Sequence, residues 1–292
     1  MKLLLTNKNN QVLDLLNNRD KFVLSAAEGL HGIETDIAES ETPYTDGVVI
    51  ENVKALPRGI ELMFTLRGNI EASLNYFTSI VKSKQLVTLR EVKGERDIAI
   101  NGIVTIPPYS RMMQTCKITI TIYCAQPYWE DINYLVVDIS EYLSLLNFPT
   151  EGQYFTEYGR PFGAIDTNLT KSFENKSDTT VGMLINLVAL GDVVNPRISC
   201  DSGEQKGWYM QLNLTLREND ELAINTVKNN KYITINGLNT YNGEPILNYL
   251  EWQGKDWLQL ETGLNTFEVT TADNGATNSN VYFSFIYKGR YE

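Results

Sequence analysis

The residues able to do chemistry are few and widely spaced. Histidine occurs once, as His31, and cysteine three times, as Cys116, Cys124 and Cys200. A zinc centre needs about four N, S or O ligands, and no CxxC or HExxH cluster is present. His31 sits in Gly29-Leu30-His31-Gly32 with no nucleophile motif such as GxSxG nearby. A loop histidine is the plainer reading than a catalytic one. Gly29 and Gly32 give a GxxG that lacks both the following helix pattern and the Lys-Ser/Thr pair of a phosphate cradle. Carboxylates are plentiful: Asp201 with Glu204, Asp220 with Glu221, and Asp256 before Trp257. A glycosidase would need two of them roughly 5–10 Å apart across a cleft, but each lies in turn chemistry where Asp is expected anyway. Calcium loops of the DxDxDG kind are absent. The sequence therefore offers no catalytic, cofactor-binding or metal-binding residue, and the expectation is a protein that is not an enzyme.

Aromatic residues pose a better question. Trp208-Tyr209, Tyr241, Tyr249, Trp252 and Trp257 all fall in the last third of the chain. An exposed ring can stack on the apolar face of a sugar while neighbouring Asn and Asp take its hydroxyls. Trp208 shares the parity of Met210 and is expected to point inward. Trp252 and Trp257 flank Gly254 and are the candidate carbohydrate contacts; filling the interior or its loops is the alternative.

Composition narrows the classes further. The 292 residues carry 36 Asp and Glu against 25 Lys and Arg, a net charge of -11. Phosphate-backbone binding needs clustered cations, so sequence-specific nucleic-acid binding is not expected. No basic amphipathic helix points to a membrane surface, and no apolar run approaches the ~20 residues of a membrane span. The opening Met1-Lys2-Leu3-Leu4-Leu5-Thr6-Asn7-Lys8 is too short for a secretory apolar region, which leads us to expect a soluble chain made without an export signal. With 42% hydrophobic residues the chain can bury sizeable cores, and its length exceeds the roughly 100–200 residues of one ordinary domain.

The elements that would position any site are mostly strands. Ile60, Leu62, Phe64 and Leu66 alternate with polar or outward residues, as do Met210 to Leu216 and Val281 to Tyr287, the pattern of half-buried antiparallel strands. One helix is expected over 69–82, with Ile70, Leu74, Phe77 and Val81 on one stripe. Asn69 would be its N-cap, Glu71 would suit its positive end, and Lys82 and Lys84 its negative end. A hairpin turn is expected at Val92-Lys93-Gly94-Glu95. Cys116 and Cys124 share one alternating strand, about 26 Å apart at roughly 3.3 Å per residue, beyond the ~7 Å reach of a disulfide. Buried, reduced thiols follow. A boundary is expected after Gln126-Pro127-Tyr128-Trp129. Residues 150–180 read as irregular. Beyond Val181 strands resume with turns at Asn229-Asn230, Asn236-Gly237, Asn242-Gly243 and Asn274-Gly275, as in a sandwich of jelly-roll type.

The order of these features resembles a known family. Gly47-Val48-Val49-Ile50, Leu56-Pro57-Arg58-Gly59-Ile60-Glu61-Leu62-Met63-Phe64, the helix, the hairpin of 86–106 and the closing Cys124-Ala125-Gln126-Pro127-Tyr128-Trp129 follow the first domain of the distal tail proteins of long-tailed bacteriophages infecting Gram-positive hosts. Leu190-Gly191-Asp192-Val193-Val194-Asn195-Pro196-Arg197-Ile198, Asn213-Leu214-Thr215-Leu216 and Trp257-Leu258-Gln259-Leu260-Glu261-Thr262-Gly263-Leu264-Asn265 resemble the second. Residues 150–180 match nothing in that pattern. The resemblance implies a mainly β chain in two parts. Residues 1–132 would be an α+β ring-forming, tail-tube-like domain, a β-sandwich with one helix and a β-hairpin. Residues 133–292 would be a linker strand and loop region followed by a galectin-like β-sandwich. It also implies a virion structural protein of the tail tip or baseplate hub, assembled in the host cytoplasm as a homo-hexamer. Its ring would join the tail tube protein to tail-associated, receptor-binding proteins, with helix 69–82 and hairpin 86–106 making ring and tube contacts. A carbohydrate-binding or adhesin module acting in host attachment is the alternative function. No cofactor is implied.

Overall fold

Alternation decides which side of each strand is wet. In Arg58–Leu66 the side chains of Ile60, Leu62 and Phe64 are fully buried while Glu61 faces out. Val281, Phe283 and Phe285 are buried in the same way near the C-terminus. The structure, a computed structural model, describes residues 1–41, 46–108, 116–138, 142–144, 163–165, 170–272 and 281–292. Its chain divides into two units, Met1–Ile132 with Arg290–Glu292, and Asn133–Gly289.

The first unit holds β1 (Lys2–Asn7), β2 (Val12–Asp14), β3 (Phe22–Glu28), β4 (Thr35–Glu41), β5 (Val48–Ala55), β6 (Arg58–Leu66) and α1 (Ile70–Ile80). After these come β7 (Leu86–Lys93), β8 (Arg96–Thr105), β9 (Lys117–Cys124) and β10 (Trp129–Asp131). A nine-stranded antiparallel sheet runs β2-β1-β7-β8-β9-β6-β3, with β10 paired to β8 and to the last strand of the chain. Its inner face supplies one core, in which Phe22, Phe64 and Phe77 of the helix meet edge-on or tilted at 5.1–5.7 Å.

Asn69 caps α1 as expected, its side-chain oxygen accepting from the Glu71 and Ala72 N–H groups. The expected stripe faces the core, with Phe77 and Val81 fully buried and Ile70 and Leu74 packed against them, and Ser73 and Ile80 are buried beside it. Ser73 tolerates burial because its hydroxyl donates to the Arg67 carbonyl at 2.9 Å. Val81 already has extended backbone, so Lys82 and Lys84 lie past the helix rather than in its last turn. The expected hairpin turn closes at Gly94-Glu95, where Gly94 has φ +63° and Lys93 pairs with Arg96. Cys116, Cys124 and Cys200 are buried free thiols.

The second unit contains β11 (Leu135–Asp138), β12 (Tyr142–Ser144), β13 (Gly163–Ile165), β14 (Thr170–Asn175), β15 (Met183–Ala189), β16 (Val193–Val194) and β17 (Arg197–Cys200). Next are β18 (Tyr209–Leu212), β19 (Thr215–Leu216), β20 (Glu221–Asn225), β21 (Tyr232–Ile235), β22 (Thr240–Tyr241) and β23 (Glu244–Pro245). It ends with β24 (Leu250–Gln253), β25 (Gly263–Thr270) and β26 (Val281–Tyr287); β27 (Arg290–Tyr291) is the strand that pairs β10. Two five-stranded sheets, β11-β26-β15-β20-β21 and β14-β25-β17-β18-β24, bury their inner faces in a single core, a β-sandwich. The alternation from Met210 to Leu216 serves two sheets, because β18 and β19 belong to different ones. Asn236-Gly237 and Asn242-Gly243 adopt the positive φ values that tight hairpin turns demand. The turn at Asn274-Gly275 and most of 150–169 lie outside the described residues, while within the stretch 150–180 read as irregular Thr170–Asn175 is a regular strand paired with β25.

Candidate functional site

In the first unit, one carbonyl gathers the residues that sequence reasoning marked separately. Leu30 O accepts from Arg58 Nη1 at 3.0 Å and from the indole Nε1 of Trp129 at 2.9 Å. Trp129 is fully buried and Arg58 is 5% exposed. Gly29 makes the approach possible: a Cβ there would lie 2.1 Å from the Gly59 carbonyl oxygen, and its φ is +73°. Of the two GxxG glycines, Gly29 serves close backbone packing, whereas Gly32 has open space around it. His31, next in the chain, is exposed. Burial pulls the Arg58 guanidinium below its ordinary value, while Cys124 and Glu292 act to raise it. Burial also pushes the Cys124 thiol up to about 11, so it stays protonated and inert near neutral pH. The chain's end completes the knot. Arg290 Nε donates to Glu130 Oε1 at 3.0 Å, and the Tyr291 hydroxyl donates to Asp131 at 3.1 Å. Nothing in the sequence signals that return.

Beside this knot the sheet forks. β9 pairs β8 over Ile103–Thr105 and β10 pairs it over Ile98–Ala99, so Ile100–Gly102 belong to neither ladder. The fork opens a groove of about 310 Å³ whose apolar lining includes Leu86, Ile103, Tyr123 and Tyr128. Leu86, Ile103 and Tyr123 stand opposite one another on adjacent strands, and each is 48–58% exposed. Gly102 forms part of the floor, where an added Cβ would meet Ile122 at 2.5 Å.

β4 and β5 form a separate two-stranded sheet. All its described residues are exposed except Ser40 and Ala55, which are half-buried. The register shifts after Ala38, where Glu51 has no opposite number. That bulge sets Val53 opposite Ile37, Ile50 opposite Glu39 and Val48 opposite Glu41, all on one face. Without it, Ile50 and Val48 would face away from Val53.

In the second unit the two candidate tryptophans part company. Trp252 lies on the edge strand β24 opposite Met210 and is half exposed. Trp257 packs against the core, with the Lys231 ammonium 5.7 Å from its ring centre. Neither lines the depression of about 400 Å³ whose walls include Trp208, Glu204, Asp256 and Glu261. Trp208, expected to point inward, is half-buried, and Gly254 lies against it so closely that a Cβ would come within 2.5 Å of the indole. The carboxylates do structural tasks. Glu261 accepts from the Glu204 and Gln205 N–H groups, and Asp220 accepts from the Arg217 N–H and the Asn236 amide. Burial pushes the Asp256 carboxyl up, but Lys231 and the Trp257 N–H outweigh it and hold the group below its ordinary value. On the outer face of the same sheet Tyr209 donates to Glu251 at 2.8 Å and Arg197 stacks 3.7 Å over the Tyr209 ring. Among the described residues, no cluster of His, Cys, Asp and Glu is arranged to hold a metal.

Residues 177–291 match the family model described as the siphovirus-type tail component, C-terminal domain. That stretch falls within the part of the sequence whose features resemble the second domain of the phage distal tail proteins. Along 99% of both chains the fold is similar to that of SPP1 Dit, described as a paradigm of the hub adsorption apparatus in phages infecting Gram-positive hosts. The TM-score is 0.62 at 11% identity. A baseplate structure of phage P2 in its activated conformation with Ca aligns over 99% of this chain and 97% of the other, with a TM-score of 0.43 and 11% identity. No curated protein matches the sequence. The matched model describes tail components of siphovirus-type phages.

Proposed function

We propose that this chain is a structural component of the tail tip or baseplate of a phage or phage-like particle. In this reading six copies form a ring that joins the tail tube protein to tail-associated, receptor-binding proteins. The ring is built by the unit of residues 1–132, and the sandwich, galectin-like in this reading, decorates its outside. The observation that carries the proposal is the tail-component domain at residues 177–291 on a chain whose whole fold is similar to a hub protein. Identical subunits joined head to tail generate closed rings when the rotation between them closes. The outward side of α1 and the β7–β8 hairpin are the parts offered for ring and tube contacts. Electron micrographs of the purified full-length chain should show six-fold rings. Particles of another symmetry, or none at high concentration, overturn the proposal.

A second reading has one observation in its favour. Trp252 is half exposed on an edge strand, on the face that Met210 shares and not on the one that carries Arg197, Tyr209 and Glu251. An exposed ring suits stacking on a host-surface sugar, and of the two candidates Trp252 rather than Trp257 is then the stacking platform. Binding on a glycan array that survives Trp257→Ala and disappears with Trp252→Ala supports it; no binding by the parent chain ends it.

A further inference from the structure

Two surfaces of the first unit are each unfinished within one copy of the chain. The first is the β4–β5 hairpin. A lone two-stranded hairpin is marginally stable in water unless more strands or an apolar cover are added. Its bulge nonetheless gathers Ile37, Val53, Ile50 and Val48 on one face, each 46–59% exposed. Toward the hairpin's tip that face carries Glu39 and Glu41, opposite Ile50 and Val48. The second is the Leu86–Ile103–Tyr123 row at the sheet's fork. Beyond Leu86 it runs into a further depression of about 270 Å³ lined by Lys8, Lys82 and Lys84. All three lysines are exposed, and none of them, nor Glu39 or Glu41, is ion-paired among the described residues.

Each surface has the same plan, an apolar stretch that gives way to charge, and the charges are opposite in sign. We propose that the two meet between copies. The β4–β5 hairpin of one chain lays its apolar face across Leu86, Ile103 and Tyr123 of the next, and Glu39 and Glu41 reach Lys82 and Lys84. The occupant is a second copy because every copy carries both halves and leaves both exposed. A contact between two different patches of the same chain is heterologous, the kind that propagates head to tail and closes into a ring. Apolar burial supplies the adhesion, while the charge pairs fix register and direction and disfavour the reversed arrangement. The inference rests on the ring reading above and names the surfaces that would build the ring.

A charge swap in the full-length chain tests it. The Glu39→Lys/Glu41→Lys chain should assemble at least about 10-fold more weakly than the parent, and so should the Lys82→Glu/Lys84→Glu chain. All four positions lie on exposed surface, so both variants should keep the parent's melting temperature. Mixing the two variants should restore the assembled mass, because each hairpin then finds a groove of opposite charge on the other chain. Cysteines introduced by Ile50→Cys in one chain and Ile103→Cys in another should form an intermolecular disulfide on mixing. If the parent assembles but both swaps assemble equally well, or the mixture fails to recover, this contact is wrong and the ring reading stands. If the parent is monomeric throughout, the ring reading fails and takes this contact with it.

Discussion

Two antiparallel hairpins in the first unit make opposite use of the same local pattern. β7–β8 buries Val87, Leu89, Ile98 and Ile100 beneath a nine-stranded sheet, and its outer face pairs Arg90 with Asp97 at 2.7 Å. β4–β5 carries Ile37, Val48, Val49, Ile50 and Val53 and buries none of them. A strand's alternation declares that one face wants cover, but it does not say whether the cover is the chain's own core or another molecule. In β7–β8 the cover is internal. In β4–β5 it has to come from outside.

The contrast is best broken with matched substitutions, measured by chemical denaturation at concentrations where protomers are separate. Leu89→Ala in β7 removes a fully buried side chain and should cost about 3 kcal/mol. A cost below about 0.5 kcal/mol would mean that β7–β8 is no more part of the core than β4–β5. Trp129→Phe keeps an aromatic ring under the fork but leaves Leu30 O with Arg58 as its one remaining partner of the two described. A loss of about 1–2 kcal/mol is expected. An unchanged midpoint would show that the knot beside the groove does not depend on the indole N–H.

The ion pair on the outer face of β7–β8 gives a smaller effect with a defined sign. The Arg90 guanidinium holds the Asp97 carboxyl below its ordinary value. Its stabilisation is therefore present at neutral pH and is lost as acid protonates Asp97, from about pH 4 downward. Both side chains are partly exposed, so the amount is at most about 1 kcal/mol. Arg90→Ala should flatten the acid side of the stability profile; a profile identical to the parent's assigns the pair no role. The smallest effect on folding should come from Val53→Ser in β4–β5, within about 0.5 kcal/mol of the parent, because the side chain is exposed. The same variant should lower the assembled mass at concentrations where the parent is complete. A large folding cost would instead make the hairpin part of the unit's own core.

Much of the fold was legible because its causes are local. The alternation of β6 and β26, the Asn69 cap, the Gly94 turn and the Asn-Gly turns each lie within a few residues of sequence. What escaped depends on partners far along the chain. The run Val48-Val49-Ile50 shows no alternation, and only the pairing with β4 reveals the bulge that sorts its side chains. Met210 to Leu216 reads as one strand, yet its halves pair with different neighbours. Ser73 joins the helix's buried side because its hydroxyl reaches a carbonyl that sequence does not place beside it. The surfaces that matter here were the hardest to see. Leu86, Ile103 and Tyr123 sit at outward positions of three strands, and they become a row only through register. Trp252 and Trp257, close in sequence, part because Trp252 lies on an edge strand while Trp257 packs against the core.

The central claim is that this chain works as a ring of its own copies, and solution mass is its most direct measure. With a protomer of 33.1 kDa, a closed ring of six gives a light-scattering mass of about 200 kDa that holds steady on dilution through the micromolar range. A mass that stays at that of one protomer at the highest concentration reached would contradict the account.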